Sequence, residues 1–66
     1  MKINSTKMCV KMAYNGYTLA KLAEVSGVSR ATLSSIKNGK TCSIPTATKI
    51  AKALNVDVVE LIESEV

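Results

Sequence analysis

Apolar residues recur along the chain in short runs at helical spacing, and each run is bracketed by a capping residue and a helix breaker. Met8, Cys9, Met12 and Ala13 make one apolar face. Ser5 can cap this first helix, and Asn15-Gly16 ends it through a left-handed residue. Ile3, ahead of the cap, is expected to lie extended and to pack separately. Thr18 caps a second helix with Leu19, Leu22, Ala23 and Ser26 on its inner side, and Gly27 terminates it. Ser29 caps a third, whose apolar side is Val28, Leu33 and Ile36, and Asn38-Gly39 stops it. A loop, Lys40 to Ile44, leads to Pro45-Thr46, where Thr46 can cap a fourth helix. Ala47, Ile50, Ala51 and Leu54 follow the i, i+3, i+4, i+7 pattern there, up to Asn55. Asp57, with Glu60 three residues on, has the spacing of a reciprocal capping pair and opens a fifth helix with Val58, Leu61 and Ile62 inside. The pattern predicts an all-α domain of five short helices, with no internal sheet.

The length of 66 residues, with no linker, repeat or low-complexity stretch, fits one domain over 1–66. A chain this short buries only ~60% of its unfolded surface, so oligomerisation would add stability. The apolar fraction of 47% is too high for a disordered tail.

Charge is distributed unevenly. Residues 1–40 carry Lys2, Lys7, Lys11, Lys21, Arg30, Lys37 and Lys40 against Glu24 alone, whereas 55–66 carry Asp57, Glu60, Glu63 and Glu65 with no base. The basic half suits a polyanion, although the same asymmetry is compatible with ordinary solvated charge. Cys9 and Cys42 are too few for a disulfide framework, and without any His they make no zinc site. They read as reduced thiols in or near the core of a cytoplasmic protein. No signal peptide and no membrane-spanning run is evident, and no cofactor is implied. Enzymatic function is not expected. There is no His, no nucleophile motif, no phosphate-cradling glycine loop and no carboxylate pair in the basic half.

The third helix carries the functional signal. On a wheel of 100° per residue, Leu33 and Ile36 define the buried direction. Ala31, Ser34 and Ser35 point away from it, Arg30 lies to one side in the first turn and Lys37 flanks the core. A solvent-facing helix normally carries Glu, Gln and Lys for solubility and helix propensity, and this side has none in its centre. A helix entering the major groove needs a slim outer face, because bulky side chains hold the backbone away from the base edges. Arg30 is the best reader, since its planar fork can donate twice to guanine O6 and N7. Ser29, Ser34 and Ser35 can bond to bases or phosphates, and Ala31 can touch a thymine methyl. Phosphates would be met by the free amides near Thr18 and Leu19, and by Asn38, the Gly39 amide, Lys40 and Thr41. Lys37 and Lys21 are weaker candidates, because a single Lys is more commonly a solvated surface charge.

The run T-x-x-x-L-A-x-x-x-G-V-S-x-x-T-L-S-x-I-x-N-G-K over 18–40, with Pro45 and the stretch K-I-A-K-A-L-N-V over 49–56, resembles the phage repressor and Cro type of helix-turn-helix domain, also called the xenobiotic-response-element family. The resemblance covers about residues 5–62. It implies a compact five-helix, lambda-repressor-like domain with the helix-turn-helix at helices two and three. It further implies a bacterial or phage-encoded regulator of transcription, binding a palindromic double-stranded DNA operator as a homodimer. By position, base-facing residues fall on Ser29, Arg30, Ala31 and Ser35 with Ser34 nearby, and phosphate-binding residues on Thr18, Leu19, Asn38, Lys40 and Thr41. The chain departs from the family at two places. Leu19 stands where a phosphate-contacting Gln is frequent, so only its backbone amide can serve. Met12 and Lys37 stand where an Arg–Glu pair is frequent, so Met12 is expected against the Lys37 stem and Lys37 is left able to approach DNA.

One reading helix touches only a few base pairs, so a twofold pair of modules is expected, at least on DNA. The contact would come from Ile44 and Pro45 before helix four, and from Val56, Val59, Ile62 and Val66 around helix five. Val59 and Val66 are not needed by the inner stripe of helix five, although a small core can also simply spill over. The competing function is a protein-interaction module, antitoxin-like or antirepressor-binding, in which helix five meets a regulatory protein partner and DNA binding is secondary.

Overall fold

The computed structural model describes residues 2–62. Each α-helix opens on an extended residue whose side chain accepts from the first turn. Asn4 opens α1 (Ser5–Asn15) by accepting from Lys7 N–H, and Thr18 opens α2 (Leu19–Ser26) by accepting from Lys21 N–H. Ser29 and Ser43 do the same for α3 (Arg30–Lys37) and α4 (Ile44–Ala53). Two of the expected caps are therefore displaced: Asn4 replaces Ser5, and Ser43 replaces Thr46. Ile44 and Pro45 lie in the first turn of α4 and not in the loop before it, a place where proline is tolerated because its missing N–H has no intrahelical acceptor.

Left-handed residues close the helices. After α1, Gly16 N–H donates to Ala13 O at 3.1 Å and Tyr17 N–H to Met12 O at 2.8 Å. After α4, Asn55 (φ 60) does the work usually given to glycine. Its N–H donates to Lys52 O at 3.1 Å, and Val56 N–H donates to Ala51 O at 3.0 Å.

The expected fifth helix is instead a single 3-10 turn, Val58–Glu60, so the described residues contain four α-helices and this turn. The reciprocal capping pair of Asp57 and Glu60 is present, with Asp57 N–H donating to the Glu60 carboxylate at 3.2 Å. The helix does not continue because the chain re-enters extended pairing. Ile62 forms an isolated antiparallel bridge with Ile3, and Asn4 N–H donates to Leu61 O at 2.7 Å. Ile3 is therefore extended as expected, but it is fully buried in the common core and does not pack separately.

The core gathers Ile3, Met8, Met12, Leu22, Val28, Leu33, Ile36, Ala47, Ile50, Ala51, Leu54 and Leu61. All four residues of the α4 stripe are buried. On α1 the stripe centres on Met8 and Met12, with Cys9 half-buried and Ala13 exposed, against expectation for Ala13. α2 packs on both α3 and α4, and α1 also meets α3. The half-buried Asn15 amide ties the ends of α1 and α4, donating to Lys11 O at 2.9 Å and Leu54 O at 3.3 Å. No helix among the described residues is long and apolar enough to cross a membrane.

Candidate nucleic-acid interface

In the turn between α2 and α3 the amides of Gly27 and Val28 both find acceptors in the preceding helix. Gly27 sits at φ 74, a region costly to any residue with a Cβ, and its N–H donates to Ala23 O at 3.0 Å. Val28 N–H donates to Ser26 Oγ at 3.2 Å while the Val28 side chain enters the core. Ser29 then caps α3: its Oγ accepts from Thr32 N–H at 3.2 Å and donates to Thr32 Oγ1 at 2.9 Å. The start of α3 is thus anchored on three sides, by Gly27, Val28 and Ser29.

Leu33 and Ile36 are fully buried, which sets the rotation of α3 about its axis. In consequence Arg30, Ala31, Ser34 and Ser35 are all exposed, as are Ser29 and Lys37. The five residues expected to read bases thus lie on or beside one accessible side of a well-anchored helix. Ser29 differs from the other four because its hydroxyl hydrogen and one lone pair are already committed to Thr32.

The far end of α3 closes on Gly39 (φ 100), whose N–H donates to Ile36 O at 3.0 Å, while Lys40 N–H donates to Ser35 O at 3.0 Å. The Gly39 amide is therefore engaged inside the helix cap and is not a free phosphate donor, contrary to its expected role. Its contribution is the left-handed corner, which leaves the side chains of Asn38, Lys40 and Thr41 exposed beside α3. At the start of α2, the Thr18 hydroxyl is taken by Lys21 N–H at 3.1 Å. The amides of Leu19 and Ala20 are left without intrahelical acceptors at the positive end of the helix. The Leu19 side chain is half-buried against the core, so only its amide is offered, as the replacement of Gln implies. Ala20 is a donor that sequence reasoning passed over, although its place two residues after the cap is a sufficient signal.

The cations divide by partner. Lys21 Nζ lies 3.0 Å from Glu24 Oε1, and Lys11 Nζ lies 3.8 Å from Glu60 Oε1. Arg30, Lys37 and Lys40 have no acidic partner among the described residues, nor do Lys7, Lys49 and Lys52, so three of the uncompensated cations sit on and just beyond α3. Met12 is buried and Lys37 exposed, on helices that pack together. Cys42 is half-buried, and burial pushes its thiol pKa up, keeping it neutral in this region.

The residues expected at a twofold contact separate into two groups. Ile44 (66% exposed), Pro45 and Val59 (64% exposed) are accessible. Val56 and Ile62 are half-buried, Val56 against the core and Ile62 in its bridge with Ile3, so they offer less surface than expected. Val66 lies outside the described residues.

Comparison with known proteins agrees with this geometry. A helix-turn-helix family model matches residues 14–61. No curated protein matches the chain. Among solved structures, a single-residue variant of hydroxyethylphosphonate dioxygenase aligns at a TM-score of 0.86 and 26% identity, covering 100% of this chain and 14% of that one. PhpD with cadmium, complexed with hydroxyethylphosphonate, aligns at 0.84 and 26% identity with the same coverage. The chain thus spans 14% of the length of the solved chains it matches, and that likeness concerns one segment of a much longer protein. With the family match over most of its length and the α2–turn–α3 unit at its centre, the chain belongs to the helix-turn-helix family of the Cro and repressor type, a family of DNA-binding domains.

Proposed function

We propose that the protein is a sequence-specific, double-stranded DNA-binding regulator of transcription, acting as a repressor in the cytoplasm. α3 enters the major groove, Arg30 reads guanine, and Ala31, Ser34 and Ser35 allow close approach. The backbone is clamped by the Leu19 and Ala20 amides on one side and by Asn38, Lys40 and Thr41 on the other. The observation that carries this reading is the division of α3 into a fully buried Leu33–Ile36 side and an accessible, slim side bordered by unpaired cations. The chain itself has no catalytic role in this account.

α3 has 8 residues and is about 12 Å long, enough to cover only a few base pairs. The longest dimension of the domain, 32 Å, is close to the ~34 Å between successive major grooves on one side of the duplex. In this reading the protein binds a palindromic operator as a homodimer, with the exposed Ile44, Pro45 and Val59 as its contact. Those same residues also support the alternative of a regulatory protein partner.

Selection of binding sites from a random duplex pool tests the proposal. A palindromic consensus with half-sites ~10 base pairs apart is expected. Recovery of no enriched sequence would contradict it. Affinity for the selected site should also fall steeply with salt, which an apolar protein contact would not do.

A further inference from the structure

Glu24 is the only carboxylate among residues 1–56, and it lies on the exposed side of α2. It holds Lys21 at 3.0 Å, with the two side chains 72% and 52% exposed. Lys21 belongs to the first turn of α2, next to the two free amides assigned above to a phosphate. Its place beside those amides would let it serve as a further phosphate ligand, yet its charge is compensated within the same helix.

We propose that Glu24 is a specificity-determining residue that withholds Lys21 from the DNA backbone, an inference that rests on the DNA-binding reading above. To reach a phosphate, the Lys21 ammonium must leave Glu24, and that strands a carboxylate beside a polyanion. The pair therefore stays together near DNA as a neutral unit. Phosphate contacts raise affinity for every sequence alike, whereas base contacts raise it for the operator alone. Compensating Lys21 lowers the sequence-independent part and leaves the α3 contacts unchanged, so the ratio of operator to random-duplex affinity increases. Arg30, Lys37 and Lys40, the cations on or beside the reading helix, have no such partner among the described residues.

The test compares wild type, Glu24→Gln and Lys21→Ala/Glu24→Gln by fluorescence anisotropy on random duplex and on the selected site, between 50 and 200 mM salt. Freed Lys21 should add one phosphate contact to Glu24→Gln. The slope of log affinity against log salt then steepens by about 0.9, and affinity falls about 3- to 4-fold more over that range than for wild type. Random-duplex affinity at low salt should rise several-fold, and the operator-to-random ratio should fall. The double variant should return to the wild-type slope. An unchanged slope in Glu24→Gln, or a double variant as steep as Glu24→Gln, overturns the inference. Wild type failing to bind either duplex at 50 mM salt would overturn the DNA-binding reading itself, and this inference with it. Thermal melts of the two exposed-site variants matching wild type keep folding out of the comparison.

Discussion

The Ser29 hydroxyl is committed to Thr32 twice, accepting from its N–H at 3.2 Å and donating to its Oγ1 at 2.9 Å. Ser29 therefore acts first as the cap of the reading helix. Ser29→Ala should lower stability by about 1 kcal/mol, as loss of an N-cap does. Binding to operator and to random duplex should weaken together, with little change in their ratio. Ser29→Asp should restore the melting temperature, because Asp caps as well and favours the positive end of the helix, but it should bind both duplexes more weakly than wild type. Melting curves and binding isotherms on the three proteins check this.

Arg30 presents the opposite case. It is exposed, has no acidic partner among the described residues, and lies one residue inside the cap. Arg30→Ala should leave the melting temperature unchanged and weaken operator binding by ~1–3 kcal/mol. The loss should be concentrated at one guanine, so a panel of single-base operator variants should show relaxed preference at that position only. Equal affinity of Arg30→Ala and wild type for the operator would remove Arg30 from the reading set.

Gly27 tests whether the turn is maintained by backbone geometry. A Cβ added there meets nothing within 4 Å, so space is not limiting, but φ is +74°. Gly27→Ala should thus cost about 1–2 kcal/mol from left-handed strain alone. Gly27→Asn should cost less, since Asn adopts this region more readily, as Asn55 does at φ 60 after α4. Chemical denaturation of the two variants, with equal destabilisation by Ala and Asn as the contrary result, decides the point.

The helix-turn-helix was legible because its signals are local. Thr18, Gly27 and Ser29 each act within a few residues of themselves, and the Leu33–Ile36 spacing fixes which side of α3 is buried. The two ends of the chain were less legible because non-local pairing decides them. Asn4, Ser5 and Thr6 are all competent caps. Asn4 takes the role because its N–H is bonded to Leu61 O, and Ile3 is bridged to Ile62. The same bridge ends the fifth helix after one turn: in a longer helix Leu61 O would accept from further along the chain, and here it accepts from Asn4. At α4, Pro45 fits the second helical position, which moves the cap back to Ser43. Within the site, the engagement of the Gly39 amide with Ile36 O follows from the left-handed termination already visible in Asn38-Gly39. That termination identifies the corner correctly but also consumes the donor.

The account rests on direct contact between the outer side of α3 and base edges. Titration of a duplex carrying the selected site into isotopically labelled protein at low ionic strength, followed by backbone amide resonances, tests it most directly. The largest shifts are expected at Ser29 through Ser35, with smaller ones at Leu19, Ala20 and 38–41. Undisturbed resonances across 29–35, with shifts confined to the surroundings of Ile44 and Val59, would contradict it.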